Sequence, residues 1–195
     1  MTRQKKTVDR IITAATGCFA TQSYGASSLS GIALEAGTSK QVVLHHFGTK
    51  ERLYLAVLTV LQEQLDDWVQ AARRSVKDPL ARLEKLLLQL LNPANQQTVE
   101  LTVRALLEIA SSETTAERWP LKPFVEQLRD LAKEVADQQN KCPDQVFSTV
   151  YAMVGSVSYY RLSAGALVAM FGPETYGDME ARFKVDLRHR LEEVQ

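Results

Sequence analysis

Between Ser39 and Lys50 the chain crowds two lysines, a glutamine and two histidines among apolar residues, in the order Ser39-Lys40-Gln41-Val42-Val43-Leu44-His45-His46-Phe47-Gly48-Thr49-Lys50. These side chains can read the edge of a DNA duplex. Glutamine pairs bidentately with adenine, lysine donates to guanine or phosphate, and valine or leucine packs on a thymine methyl. On a helix, Val43 and Phe47 fall four apart and make one narrow inward seam. Lys40, Gln41, Val42, Leu44, His45 and His46 are then left for the major groove. Ser28 and Lys50 stand at the starts of two further expected helices, where free backbone N–H groups seat phosphates. Other chemistries fare worse. Adjacent helical histidines point about 100° apart, so His45 and His46 do not share one metal ion, and the third histidine, His189, lies in a distant segment. Neither a Gly-x-Ser-x-Gly elbow nor a phosphate-cradling glycine loop occurs. The expectation is a DNA-binding protein with no catalytic residue, no metal and no cofactor, and not an enzyme.

Apolar spacing places these residues on helices. Val8, Ile11, Ile12, Ala15 and Phe19 line one helical face, and Ser23-Tyr24-Gly25 breaks it. Leu29, Ile32, Ala33 and Ala36 follow behind Ser28 as N-cap, and Gly37 ends that helix. A short helix begins at Ser39 and runs to Phe47. Gly48-Thr49 then introduces a long one carrying Tyr54, Val57, Leu58, Leu61, Leu65 and Trp68. Residues 28–47 therefore have the layout of a helix-turn-helix. Five more helices are expected: from Pro79 to Leu91, Gln97 to Ala110, Pro123 to Gln139, Pro143 to about Gly165, and about Thr175 to Glu193, with a polar loop from Ser111 to Pro120. The fold class is all-α, about nine helices in total. A three-helix DNA-binding domain over 1–49 precedes a helical body over 50–195.

The charge distribution agrees with this division. The chain is neutral overall, yet residues 1–60 carry seven bases against three acids, a net of +4, and the remainder 16 bases against 20 acids, a net of −4. A basic head on an acidic body suits a protein that meets a polyanion with one end. No segment is apolar enough to span a membrane and no secretory signal is apparent, so a cytoplasmic protein is expected, with Cys18 and Cys142 as two reduced, buried thiols.

From Ile11 to Val57 the sequence resembles the TetR/AcrR family's N-terminal signature. The matching positions are Ile12, Ala14-Ala15, Phe19-Ala20, Tyr24-Gly25, Ile32-Ala33-Leu34-Glu35-Ala36-Gly37, Ser39-Lys40, His46-Phe47 and Lys50-Glu51-Arg52-Leu53. Three positions depart from it. Ser23 stands where the family has glycine before the aromatic residue, Gln41-Val42-Val43 replaces a usual Gly-Thr-Leu, and Leu44 replaces a tyrosine that contacts the DNA backbone. The resemblance implies a dimeric, sequence-specific repressor that leaves a palindromic operator when a small-molecule effector binds. It assigns DNA contact to Ser28, Ser39, Lys40, Gln41, Val42, Leu44, His45, His46 and Lys50. It also implies a homodimer through residues 143–165 and 175–193, where Gly155, Ser156 and Ser158 allow close helix approach. An activator, a regulator whose effector promotes DNA binding, or a repurposed protein acting through a protein partner are the alternatives.

The body is less informative. Trp68, Trp119, Tyr151, Met153, Tyr159 and Arg161 are candidates for lining an effector pocket, since such pockets are mostly apolar with a few polar groups. Ordinary core packing would use the same residue types. Arg161 follows Val157 on a largely apolar helix, and a buried cation there calls for an anion, either a carboxylated ligand or an acidic side chain nearby.

Overall fold

The computed structural model describes residues 3–108 and 119–193. Among them are nine α-helices and no strand: α1 (Arg3–Thr21), α2 (Leu29–Glu35), α3 (Lys40–Phe47), α4 (Lys50–Ser75), α5 (Pro79–Leu91), α6 (Gln96–Glu108), α7 (Lys122–Gln139), α8 (Pro143–Phe171) and α9 (Pro173–Glu193), with a 3-10 turn at Pro93–Asn95. The all-α expectation holds. Ile109 and Ala110 of the expected sixth helix, and Ser111 to Arg118 of the expected loop, lie outside the described residues. The chain divides into two compact units, residues 1–64 with 100–122, and residues 65–99 with 123–195. The functional boundary expected at 49/50 falls inside the first unit. Both α4 and α6 supply residues to each unit.

In the first unit, Ile11, Ala15 and Phe19 of α1 are fully buried with Ile32 of α2, Val43 of α3, and Leu53 and Val57 of α4. Each short helix has a local device to start and stop it. Ser28 Oγ accepts from Gly31 N–H, and Ser39 Oγ from Val42 N–H, which satisfies one orphan amide per helix. Gly37, at φ +61°, ends α2: Thr38 N–H donates to Ala33 O and Gly37 N–H to Leu34 O, the paired bonds of a left-handed glycine cap. Gly48, at φ +74°, turns the chain from α3 into α4 in the same left-handed region.

In the second unit, α5 buries Leu83, Leu87 and Leu91, α7 buries Phe124, Leu128 and Leu131, and α8 buries Val146, Val150 and Val157. Asp78 caps α5 by accepting from Ala81 N–H, with Pro79 in the first turn as expected. Three expectations need correction here. Helix α8 runs past Gly165 to Phe171, because an isolated glycine costs only about 1 kcal/mol in a helix whose apolar pattern continues. It stops at Gly172, at φ +82°. Ser158, one of the three small residues expected to let a second helix approach, is buried within its own unit, as are Val146, Val150 and Val157, whereas Gly155 lies on the outward face. That face, on the opposite side of the helix, carries Tyr151, Gly155, Tyr159 and Leu162, all exposed. Finally, Cys142 is exposed at the N-cap of α8 rather than buried, and Cys18 is half-buried; both are free thiols.

Candidate nucleic-acid interface and effector site

Helix α3 shows how the sequence divides one short helix between core and solvent. Val43 is fully buried and Phe47 half-buried, which fixes the inward side. Lys40, Gln41, Leu44 and His45 are exposed and share the opposite side, while Val42 and His46 are half-buried on its flanks. The expected contact residues are thus brought onto one helix, with four forming the outward surface. Leu44 presents an apolar patch, 37% exposed, between polar neighbours. The His45 and His46 rings lie edge to face at 5.3 Å, and no group of three metal-ligating side chains occurs among the described residues. No acidic residue lies on α3. A helix N-terminus, a lysine and a neutral bidentate donor–acceptor are left facing outward, which suits a negatively charged groove.

Phosphate seats flank this surface. Ser28 and Ser39 are exposed at the N-termini of α2 and α3. Each Oγ already accepts a backbone N–H, so its hydroxyl hydrogen stays available to donate outward. Thr49 Oγ1 accepts from Arg52 N–H in the same way at the start of α4. Lys50 is half-buried, with its ammonium 4.4 Å from the centre of the Tyr24 ring. A cation over an aromatic face is held in place rather than loose in water.

Behind Tyr24 lies a polar clasp that sequence reasoning did not find. Glu108, at the end of α6, accepts from Tyr24 N–H at 2.9 Å and from the Tyr54 hydroxyl at 2.8 Å. One turn earlier on α6, Arg104 donates to Ala20 O at 2.6 Å and to Thr21 O at 3.2 Å, capping the end of α1. The rings of Phe19, Tyr24 and Tyr54 pack together, with Phe19 edge-on to Tyr54 at 4.9 Å. Burial first, then the bond to Glu108, pushes the Tyr54 phenol far above its ordinary pKa. Burial, with Glu51 and Glu108 adding to it, also raises Tyr24. Arg104 and Glu108 are four apart on a helix, and in sequence such a pair reads as a solvated ion pair.

The candidate effector residues separate. Trp68 of α4 lines a narrow apolar crevice with Leu83 and Leu87 of α5, Phe124 of α7, and Val150 and Val154 of α8. Its free volume is ≈ 10 Å³, room for about one water. Met153 is buried, while Tyr151 and Tyr159 are exposed on the far face of α8. Trp119 is half-buried and belongs to the first unit. Arg161 is buried, on the crevice-facing side of α8.

Residues 11–57 match the family model of bacterial regulatory proteins of the tetR family. That stretch covers the whole of α2 and α3, the capped turn between them, and the start of α4. These residues form a TetR-type N-terminal domain, that of bacterial transcriptional regulators. Over 162 residues the chain is 26% identical to the HTH-type transcriptional activator FasR of Mycolicibacterium smegmatis, an alignment covering 83% of this chain and 67% of FasR. A transcriptional regulator from Rhodococcus sp. Rha1 superposes with a TM-score of 0.70 at 21% identity, over 95% of this chain and 96% of that one. The fatty acid degradation regulator FadR from Bacillus halodurans does so with a TM-score of 0.63 at 16% identity, over 96% and 93%. At such identities the two superpositions establish the fold alone. That all-helical fold is shared over most of the chain.

Proposed function

We propose that two copies pair through the exposed faces of α8 and α9, within residues 143–165 and 175–193, and set two α3 helices into successive major grooves of a palindromic operator. The spacing of the two helices would be about 34–36 Å. The observation that carries this reading is the outward face of α3, where Lys40, Gln41, Leu44 and His45 surround a helix anchored by Val43 and capped by Ser39. Lys40 and Gln41 read bases, Leu44 packs on thymine methyls, and Ser28, Ser39 and Lys50 fix phosphates, with Val42, His45 and His46 at the edges of the contact. The apolar outward stripe of α8, with Tyr159 74% exposed, supports pairing, because water is a poor neighbour for it. Such a protein works in the cytoplasm, where the chromosome is.

In the preferred reading, the dimer blocks a promoter and a small molecule releases it. Helices α4 and α6 provide the route, since each contributes residues to both compact units. The effector must bind the DNA-incompetent state more tightly, as equal affinity for both states shifts nothing. The relative FasR, described as an activator, favours a second reading in which the same contacts recruit polymerase.

One experiment tests the common part and another separates the two readings. Repeated selection from a random duplex library should enrich a palindrome that a Lys40→Ala, Gln41→Ala variant fails to select. Absence of enrichment by the unmodified protein, after bound ligand has been stripped, would overturn the DNA-binding reading. Transcription in vitro from a promoter bearing the selected site then falls for a repressor and rises for an activator.

A further inference from the structure

Arg161 stands out as a charge without a counter-charge. It is 6% exposed, and its partners are neutral: Nη2 donates to Gln96 Oε1 at 3.1 Å and Nη1 to the Tyr176 hydroxyl at 3.5 Å. Its Nε–H is buried and meets no acceptor. None of the ion pairs among the described residues includes it. Glu180, the acid that bears on both Tyr160 and Tyr176, is itself paired with Lys184 at 2.6 Å. The preceding residue adds a second orphan. The Tyr160 ring is stacked on Phe183 at 4.4 Å and on Tyr176 at 5.7 Å, and its buried hydroxyl has no partner. Two consecutive residues of α8 therefore each hold a buried donor with no acceptor. A trapped water would satisfy a hydroxyl, but a buried guanidinium is best stabilised by an anion, ideally the two oxygens of a carboxylate.

The same face of α8 also leads to apolar space. Val150, Val154, Val157 and Arg161 follow one another at spacings of four, three and four, one side of a helix. From Arg161 back to Val154 is two turns, about 10 Å at 1.5 Å per residue. There Val154 and Val150 line the crevice with Trp68, Leu83, Leu87 and Phe124. No charged side chain lines that crevice.

We propose that the effector is an amphiphilic monocarboxylate, its head held by Arg161 with the Tyr160 hydroxyl and its unbranched tail lying in the Trp68–Val154 crevice. This rests on the effector-responsive reading above and supplies its chemical class. The crevice as it stands admits about one water, so the tail enters only by parting α4, α5, α7 and α8. Because Trp68 is on α4, the helix that begins at Lys50 in the DNA-binding head, opening the crevice is the event the effector uses.

Calorimetric titration of the purified, ligand-stripped chain with decanoate and with decanol tests this, without DNA. The unmodified protein should bind decanoate at least tenfold more tightly than decanol. Arg161→Met should weaken decanoate roughly ten- to a hundredfold, the range expected for losing charge-assisted hydrogen bonds, and leave decanol within about threefold. Arg161→Lys, which keeps the charge and loses the fork, should fall between them. In thermal melts without ligand, Arg161→Met should be at least as stable as the parent, since it removes an uncompensated buried charge. Equal binding of decanoate and decanol, no binding of either, or unchanged decanoate affinity in Arg161→Met would each overturn the assignment. So would a ligand-free Arg161→Met that melts well below the parent, which would make Arg161 a structural strut. Operator selection is scored separately. A protein that selects an operator but ignores decanoate refutes only the ligand class, whereas one that selects none refutes the regulatory reading itself.

Discussion

Glu108 offers the most direct test of how the head is held. Replacing it with alanine removes two hydrogen bonds to a charged acceptor, from Tyr24 N–H at 2.9 Å and from the Tyr54 hydroxyl at 2.8 Å. Bonds to charged groups are worth about 1.5–3 kcal/mol each when buried. Glu108 and both donor residues are only half-buried, and water can replace part of what is lost. The lower end of the range is therefore appropriate, about 2–3 kcal/mol for the pair. At about 1.4 kcal/mol per decade, that opens the clasp some 30- to 150-fold more often. Native-state hydrogen exchange reads this at the donor itself. The Tyr24 amide should lose protection by a factor in that range, while core amides such as Val57 change far less, because they open only with the whole unit. Glu108→Gln, which keeps one good acceptor, should lose about half as much in free energy. If the Tyr24 amide exchanges within threefold of its original rate in a folded Glu108→Ala protein, the clasp does not hold the head and this reasoning fails.

Three further outcomes are expected. Ser39→Ala removes the α3 cap and should destabilise the head by about 1 kcal/mol, measured by urea titration, with a matching loss of operator affinity. The Tyr54 phenol has a raised pKa in the folded protein, so its contribution is fully present below the unfolded value near 10 and is lost as pH rises above it. Melting temperature should fall through that alkaline window in the parent and fall less steeply in Tyr54→Phe; parallel curves would contradict the assignment. Tyr159→Glu places a charge on the exposed α8 stripe and should convert a dimer to monomer in sedimentation experiments, leaving helical content unchanged. A variant that stays dimeric would move the interface elsewhere.

The head was the legible part of the sequence. Its helices are short and begin and end on residues whose conformations are local matters: Ser28 and Ser39 as caps, Gly37 and Gly48 at positive φ. Such signals need no knowledge of distant chain. The outward face of α3 followed from a single seam at Val43 and Phe47. By contrast, Glu108 acts on Tyr24 and Tyr54 from far along the chain, and nothing near position 108 announces it. Helix α8 misled for a different reason. It is apolar on both sides, so neither its inward valines nor its outward tyrosines could be assigned from periodicity alone. Only packing separates the side that α5 and α9 cover from the side left bare. Arg161 was visible as an oddity, but that its Nε lacks an acceptor is a property of three-dimensional surroundings.

The clasp on Glu108 and Arg104 uses the carbonyls ending α1, the Tyr24 amide and the Tyr54 hydroxyl, and none of Lys40, Gln41, Leu44 or His45 takes part in it. On the proposed reading, the four side chains that choose the bases are therefore separate from those of the clasp, and Lys50, held over the Tyr24 ring, is the phosphate contact that adjoins it. If that reading is right, exchanging the four outward residues of α3 should redirect the protein to a new site and leave any effector response unchanged. A lineage with this architecture can drift to new promoters one base pair at a time, without rebuilding its sensor at each step.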